Sequence, residues 1–131
     1  MLKTTGLTMS RMIRSSAYIE RQHEMNELEL KDNPTLADFQ EYVKKLELDR
    51  GFSDQTAIEK CLLLGEEMGE LFKAVRKAMN LKMDIKANTG SIKEEIADML
   101  IYLCAIGNRF DIDIEQAFRE KEEVNKKREW I

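Results

Sequence analysis

Two pairs of carboxylates, each with three-residue spacing, lie in the middle of the chain. Glu67 and Glu70 form the first pair, and Glu95 and Asp98 follow after 24 intervening residues. Residues at positions i and i+3 of a helix lie about 60° apart around the axis and nearly one turn along it, so each pair shares one side. Carboxylate oxygens are the ligands that Mg²⁺ prefers, with Mn²⁺ as a substitute, whereas Zn²⁺ favours His and Cys. Two facing pairs would therefore bind magnesium beside a phosphate-bearing substrate.

Helical periodicity selects Glu67 and Glu70, rather than Glu66, as the first pair. The segment from about Gln55 to Asn80 has apolar residues at helical spacing, which predicts one long helix. Its apolar stripe consists of Cys61, Leu64, Met68, Leu71, Phe72, Val75 and Met79. Glu67 lies at the border of the stripe and Glu70 one step further round, whereas Glu66 points away. We therefore expect Glu67 and Glu70 to lean inward and Glu66 to be a solvated surface residue.

Asp98 is the only charged residue in the segment from Ile96 to Gly107. A helix that is apolar nearly all round is buried, so we expect Asp98 to be buried or to line a cleft. An unpaired buried carboxylate is costly and therefore needs a cation. Arg76 or Arg109 could be that cation, but a second acidic pair on the preceding helix favours a metal ion. The column of side chains that contains Asp98 is Glu95, Asp98, Tyr102 and Ala105.

Four helices with short connections are predicted after Pro34, and no strand pattern accompanies them. The first ends at about Arg50, and the others run from about Gln55 to Asn80, from Ile92 to Phe110 and from Ile114 to Trp130. Residues that favour helix N-caps precede them: Thr35, Ser53 or Asp54, Ser91 and Asp113. We therefore predict an all-α four-helix bundle formed by residues 34–131.

Composition limits the classes of partner. The chain of 131 residues is 35% charged and 43% apolar and contains one Pro, which is typical of a helical, water-soluble domain. Residues 1–19 hold only basic charges, so the net charge of −4 arises from an acidic body. An acidic body argues against binding of duplex nucleic acid, and no apolar run reaches the roughly 20 residues of a membrane span. Residues 1–33 are interpreted as an extension, either an accessory arm or a dispensable tail.

The two cysteines give the expected redox environment. Cys61 and Cys104 lie among apolar neighbours on predicted helices, and the chain has neither a CxxC motif nor a second His beside His23. Zinc is therefore not expected. We predict two buried free thiols in a reducing cytoplasm rather than a disulfide.

The last predicted helix carries polar residues with two alternative roles. Phe118, Lys121, Asn125 and Arg128 share one face of it. In most proteins such a stripe is a solvated surface. If this helix faces the carboxylates, however, its cations would meet phosphate oxygens and Asn125 would bind a sugar or base. Tyr102 likewise is either a core aromatic residue or the edge of a cleft.

Two segments together resemble the MazG-like all-α nucleotide pyrophosphohydrolases. They are LLLGEEMGELFKAVRK and EEIADMLIYLCAIGNRFDIDIEQAFREKEEVNKKREW, and they carry the ExxE and ExxD motifs of that family. The resemblance extends from about Leu36 to Trp130, including Arg50-Gly51-Phe52 before the second helix. It implies a four-helix bundle of the all-α NTP pyrophosphatase type, assembled as a homodimer or homotetramer.

The resemblance also implies an activity and roles for particular residues. Such enzymes cleave a nucleoside triphosphate, (d)NTP, to (d)NMP and pyrophosphate with Mg²⁺, here as nucleotide-pool housecleaning in the cytoplasm. The implied metal ligands and catalytic carboxylates are Glu67, Glu70, Glu95 and Asp98, and the implied substrate contacts are Lys121, Asn125, Arg128 and Tyr102. The early helices lack the aromatic cluster that selects cytosine in some relatives. Two alternatives stay open: a phosphoribosyl-ATP pyrophosphohydrolase, and a non-catalytic helical oligomerisation or regulatory module.

Overall fold

The computed structural model describes residues 28–130, and within that range it contains four α-helices and no strand. The helices are α1 (Leu36–Asp49), α2 (Ala57–Ala78), α3 (Ile92–Arg109) and α4 (Ile114–Asn125). The predicted all-α fold and the order of its helices are confirmed. Residues 1–27 of the predicted extension lie outside the described range, so the role proposed for them stays a prediction.

Reciprocal hydrogen bonds determine where the first three helices begin. In each, a hydroxyl accepts from the backbone N–H three residues on, and the carboxylate there accepts from the backbone N–H of the capping residue. The pairs are Thr35 with Asp38, Thr56 with Glu59, and Ser91 with Glu94. These bonds satisfy backbone donors that a helix start leaves free. The prediction of Ser53 or Asp54 as the second cap was wrong, because only Thr56 has a glutamate at the required distance.

The core lies where α1 and α3 meet. Val43 of α1 and Cys104 and Ala105 of α3 are buried at its centre. They are surrounded by the partly buried side chains of Phe39, Leu100, Ile101 and Ile114. Helix α3 also packs along α2, and α4 packs against α1. Helix α3 therefore lies between α1 and α2, and it carries Glu95 and Asp98 on the side that faces α2.

Gln40 joins α1 to the turn between α3 and α4. Its amide nitrogen donates to Asn108 Oδ1 over 3.2 Å and to the carbonyl of Ile112 over 2.8 Å. Its amide oxygen accepts from the backbone N–H of Ile114 over 3.0 Å, and Asn108 returns a bond to the Gln40 carbonyl. All these groups are partly buried, where an unpaired polar atom is costly. The bonds consequently fix α4 against α1.

Most of the apolar stripe of α2 faces outward, contrary to the expected burial, whereas Leu64 and Leu71 are half-buried. Met68, Phe72 and Met79 are 42%, 60% and 67% exposed. The side that contacts α3 is instead a column at seven-residue spacing, Lys60, Glu67 and Ala74, since seven residues return the helix to nearly the same angle. Cys104 is buried as predicted, but Cys61 lies on the outward side and is exposed. Helical periodicity identified the apolar face of α2 but not what covers that face.

Two further expectations were wrong. Helix α3 is not buried all round, because Ile96 and Leu103 are 54% and 46% exposed. Helix α4 ends at Asn125 rather than near Trp130. It buries no side chain, so packing does not stabilise its last turn, and the backbone closes there with bonds to carbonyls three residues back. None of the helices in the described range is both long and apolar enough to cross a lipid bilayer.

Candidate active site

Three of the four predicted carboxylates meet between α2 and α3. Glu67, Glu95 and Asp98 each offer one oxygen, and these oxygens lie within 4.8 Å of one another. Glu95 is buried, Glu67 is half-buried and Asp98 is exposed. The site is therefore buried on the side of Glu95 and open to solvent on the side of Asp98. Asp98 is not buried, but it lines a cavity, which was the second expected position.

The three-carboxylate site has no ion-pair partner among residues 28–130. Burial raises the pKa of Glu67, and the negative charges of Asp98 and Glu95 raise it further. Arg109 binds Glu47, and Arg76 donates to the carbonyl of Lys82 over 2.6 Å. An all-oxygen site that lacks an ion-pair partner within the described chain fits a hard divalent cation.

Glu70 lies apart from this three-carboxylate site. Its Oε1 atom is 2.6 Å from Lys73 Nζ, in a half-exposed ion pair one turn along α2. Such a pair is worth little in free energy, so a cation at the site would compete with Lys73 for the carboxylate. The structure thus brings three of the predicted ligands together and places the fourth, Glu70, further along α2. The role of all four as metal ligands stays a prediction.

Gly90 fixes the position of the Glu95 carboxylate. A Cβ atom at Gly90 would fall 1.9 Å from Glu95 Oε1, so the carboxylate occupies space that any other residue would fill. The backbone N–H of Glu95 also donates to the Ser91 carbonyl in the first turn of α3. Sequence reasoning treated Gly90 only as part of a loop. Its place directly before the capping residue Ser91 was the available signal.

A cavity of about 380 Å³ opens beside Glu67 and Asp98. About half of its lining residues are apolar or aromatic, among them Leu63, Ile101, Phe52 and Tyr102, and the others, which include Arg50, are polar or charged. Tyr102 is half-buried, and burial raises the pKa of its hydroxyl, followed by the negative charge of Glu67. Of the two alternatives for this residue, the structure therefore supports the edge of a cleft. Its contact with substrate stays a prediction.

Lys60 is a functional candidate that sequence reasoning missed. It is 2% exposed, and its Nζ atom donates to Glu47 Oε1 and Gln55 Oε1, each over 2.6 Å. The ammonium also lies 5.5 Å from the ring centroid of Phe52 and 5.7 Å from that of Tyr102. A lysine is rarely buried without such partners. The seven-residue spacing from Lys60 to Glu67 was the only sequence signal that it faces the site.

Glu47 unites three helices at the end of the cavity. From α1, it accepts two hydrogen bonds from Arg109 of α3, over 2.9 and 3.0 Å, as well as the one from Lys60 of α2. Burial acts to raise the pKa of Glu47, but the hydrogen bonds from Arg109 and Lys60 outweigh it, and the pKa is lowered. Both carboxylate oxygens are occupied by donors. Glu47 therefore organises the cavity rather than binding a cation from solution.

The predicted substrate contacts on the last helix lie elsewhere in this chain. Lys121 and Arg128 are exposed, and Asn125 is half-buried and donates to Glu122 Oε1 over 2.7 Å. None of the three lines the cavity beside the carboxylates. Arg128 also follows the end of α4, so the three do not continue along one helical face as expected. Their contact with substrate stays a prediction.

Residues 55–129, more than half of the chain, match the sequence model of the MazG nucleotide pyrophosphohydrolase domain. The chain belongs to the MazG family. The matched region contains the three-carboxylate site, Glu70 and the whole of α4. As a MazG protein it is a hydrolase that acts on phosphoanhydride bonds of nucleotides.

Two crystal structures of iMazG from Vibrio DAT 722 are similar to this MazG chain. The forms named Ctag-iMazG and Ntag-iMazG are each 28% identical in sequence and have TM-scores of 0.53 and 0.52. Both alignments cover 71% of this chain, and they cover 99% and 95% of the iMazG chains. A search of curated proteins gave no significant match. The comparisons thus agree on family and fold.

Proposed function

We propose that this protein is a Mg²⁺-dependent nucleoside triphosphate pyrophosphohydrolase that converts (d)NTP to (d)NMP and pyrophosphate. The observation that carries the proposal is the three-carboxylate site at the mouth of a cavity with aromatic walls. The carboxylates suit an ion that binds phosphates, and the cavity suits the nucleoside. We infer a housecleaning role in the nucleotide pool.

Glu67, Glu95 and Asp98 would hold the ion, with Mn²⁺ as a substitute for Mg²⁺. When bound, the ion would lower the pKa of a water molecule and offset charge on the phosphates. Glu70 lies outside the three-carboxylate site on the same helix, so it is our candidate for the base that orients this water and takes its proton. The water oxygen forms a bond to the α-phosphorus, and the bond from that phosphorus to the α–β bridging oxygen breaks.

Groups around the cavity would orient the nucleotide. Tyr102 and Phe52 both line the cavity near Lys60 and would offer flat apolar surfaces to a base. Lys121 and Arg128 would neutralise phosphate charge, and Asn125 would bind the nucleoside, if another subunit brings α4 to the cavity. Activity would then depend on assembly of the subunits.

We propose that the protein assembles as a homodimer or homotetramer. The exposed apolar stripe of α2 supports this, because Met68, Phe72 and Met79 lie in one row on the outside of the chain. A contiguous apolar surface of this kind is typical of a protein interface. Light scattering of the purified protein distinguishes a dimer from a tetramer.

Release of pyrophosphate from a panel of canonical and modified triphosphates tests the proposed function. We expect release that requires Mg²⁺ and that Asp98→Asn abolishes while circular dichroism stays helical. Phosphoribosyl-ATP belongs in the same panel, because its exclusive use would replace the proposed substrate class. Absence of release with every nucleotide would instead favour a non-catalytic module.

A further inference from the structure

The end of the cavity furthest from the three-carboxylate site offers hydrogen-bond donors. Lys60 lies seven residues before Glu67 on α2, which is about 10 Å along the helix axis. Its ammonium has three N–H groups, of which Glu47 and Gln55 occupy two. Both oxygens of Glu47 already accept from Lys60 or Arg109, and Arg50 also lines this cavity. Among the described residues, a ligand that reaches this end therefore meets chiefly N–H donors.

Lys60 also fixes the orientation of the Gln55 amide. An ammonium has no acceptor, so the Gln55 atom 2.6 Å away from it must be the oxygen. The NH₂ group of Gln55 then points away from Lys60. Within the described chain this NH₂ group donates to no other residue, and Gln55 lines the cavity. The backbone of Gln55 is held as well, because its carbonyl accepts from Arg109 Nε over 2.7 Å.

The surroundings of these donors suit a planar heterocycle better than a phosphate. The ring centroids of Phe52 and Tyr102 lie 5.5 and 5.7 Å from the ammonium, and Leu46, Leu63 and Ile101 add apolar surface. Arg50, another N–H donor, also lines the cavity. Aromatic rings bind flat heterocycles through stacking, whereas a phosphate would lose its hydration against apolar walls. The acidic end of the same cavity would repel a phosphate unless a cation is bound there. The base and the phosphates should thus occupy opposite ends.

We propose that this donor end, formed by Gln55 and Lys60, selects nucleobases that present a ring carbonyl oxygen over those that present an amino group at the same position. The inference rests on the proposed function, since it assumes a nucleotide in the cavity. An amino group of the base and the Gln55 NH₂ group are both donors, so they could not form a hydrogen bond with each other. A carbonyl oxygen of the base would accept one from Gln55. One hydrogen bond gained in place of an unpaired donor corresponds to roughly a tenfold to hundredfold preference.

Two matched substrate pairs test this preference. dITP and dATP exchange oxygen for amine at one purine position, and dUTP and dCTP do so on a pyrimidine. In both pairs the adjacent ring nitrogen changes from donor to acceptor with the exchange. We expect kcat/KM for pyrophosphate release to favour the oxo member, roughly tenfold or more, within the ring class that the enzyme accepts. Equal values for both members in that class would overturn the proposal.

The variant Gln55→Glu separates base recognition from folding. It keeps an oxygen that accepts from Lys60 and replaces the free NH₂ group by a second acceptor. The preference for the oxo member should disappear or reverse, while the thermal midpoint changes little. Gln116→Glu is the matched control, because Gln116 lies on α4 outside the cavity and donates only to Glu120 among described side chains. A Gln55→Glu protein with the unaltered preference would contradict the proposal.

Binding of monophosphates keeps this test independent of turnover. Calorimetric titration of dIMP, dAMP, dUMP and dCMP measures the affinity ratio of each pair without hydrolysis. If no triphosphate is cleaved but the oxo monophosphate binds more tightly and Gln55→Glu removes the difference, the proposed function fails and base selection stands. If triphosphates are cleaved but neither assay shows a preference, the proposed function stands and base selection fails.

Discussion

The carboxylate of Glu95 lies so close to the backbone of Gly90 that a methyl group at Gly90 would fall 1.9 Å from Glu95 Oε1. Gly90→Ala should therefore displace this carboxylate and weaken Mg²⁺ binding by roughly tenfold to a hundredfold, as for other residues that orient a ligand. The atom in the way ends a flexible side chain, so folding should be nearly unchanged. Calorimetric titration with Mg²⁺ and thermal unfolding measure the two effects.

Gly65→Ala is the matched control for Gly90→Ala. Gly65 lies within α2, and a Cβ atom there would have open space around it. Alanine also favours the helical conformation over glycine, so this variant should gain up to about 1 kcal/mol of stability and keep its Mg²⁺ affinity. Undiminished affinity in Gly90→Ala would show that Glu95 does not bind the ion from its present position.

Glu66 and Glu67 are adjacent carboxylates with opposite expected roles. Glu67 belongs to the three-carboxylate site, whereas Glu66 is exposed and outside it. Glu67→Gln should lower the rate of pyrophosphate release at least about a hundredfold, because a ligand and its charge are lost. Glu66→Gln removes the same charge from the next residue and should leave most of the activity. Equal losses in both variants would point to net charge rather than a defined site.

Ionisation of Glu47 should make the free energy of unfolding depend on pH in the acidic range. Because its pKa in the folded protein is lowered from 4.5, its ionised form favours folding. This contribution is complete above pH 4.5 and is lost as pH falls through the lowered pKa. Denaturant unfolding from pH 7 to pH 3 should show that loss in the wild type and a flatter curve in Glu47→Gln. The same variant should be about 3 kcal/mol less stable at pH 7, since Lys60 stays buried without its partner.

A second substitution distinguishes the charge of Lys60 from its packing. In Glu47→Gln/Lys60→Met both buried charges of the pair are removed, and the apolar side chain fills the space between Phe52 and Tyr102. Part of the lost stability should return, because the double variant removes the buried ammonium that the single variant leaves unpaired, while Arg109 lacks its carboxylate in both variants. If the double variant is less stable than the single one, Lys60 contributes chiefly through its other contacts.

Phe72 should contribute to self-association. It is 60% exposed at the centre of the apolar stripe, so Phe72→Asp should leave the fold of the single chain intact. It should convert the proposed homo-oligomer to monomers, because a charge would be buried in the proposed interface. Size-exclusion chromatography with light scattering measures the mass. Ile85→Asp is the control, since Ile85 is 97% exposed in the loop between α2 and α3.

Local signals explain what the sequence could predict. Thr35 and Ser91 each have an acidic residue three positions on, so the starts of α1 and α3 follow from neighbouring residues alone. The choice of Glu67 over Glu66 followed from helical phase and agrees with the three-carboxylate site. These inferences need only short-range geometry, which one sequence contains.

Long-range partners explain what was missed. Glu47 meets Lys60 and Arg109 from other helices, and no pattern near any of the three reveals that meeting. The expected burial of the apolar stripe of α2 was wrong for a related reason. An amphipathic pattern does not show whether the apolar face packs against the same chain or against another. Glu70 pairs with Lys73 on its own helix, a local contact that the search for facing carboxylates overlooked.

The contribution of Glu47 from α1 also has a consequence for where the domain can be cut. The matched family region begins at Gln55, yet a fragment starting there would lack α1. Lys60 and Arg109 would lose their shared carboxylate, and the Val43 side of the core would be missing. We therefore expect the smallest autonomous folding unit to be larger than the family match and to start no later than the capping residue Thr35.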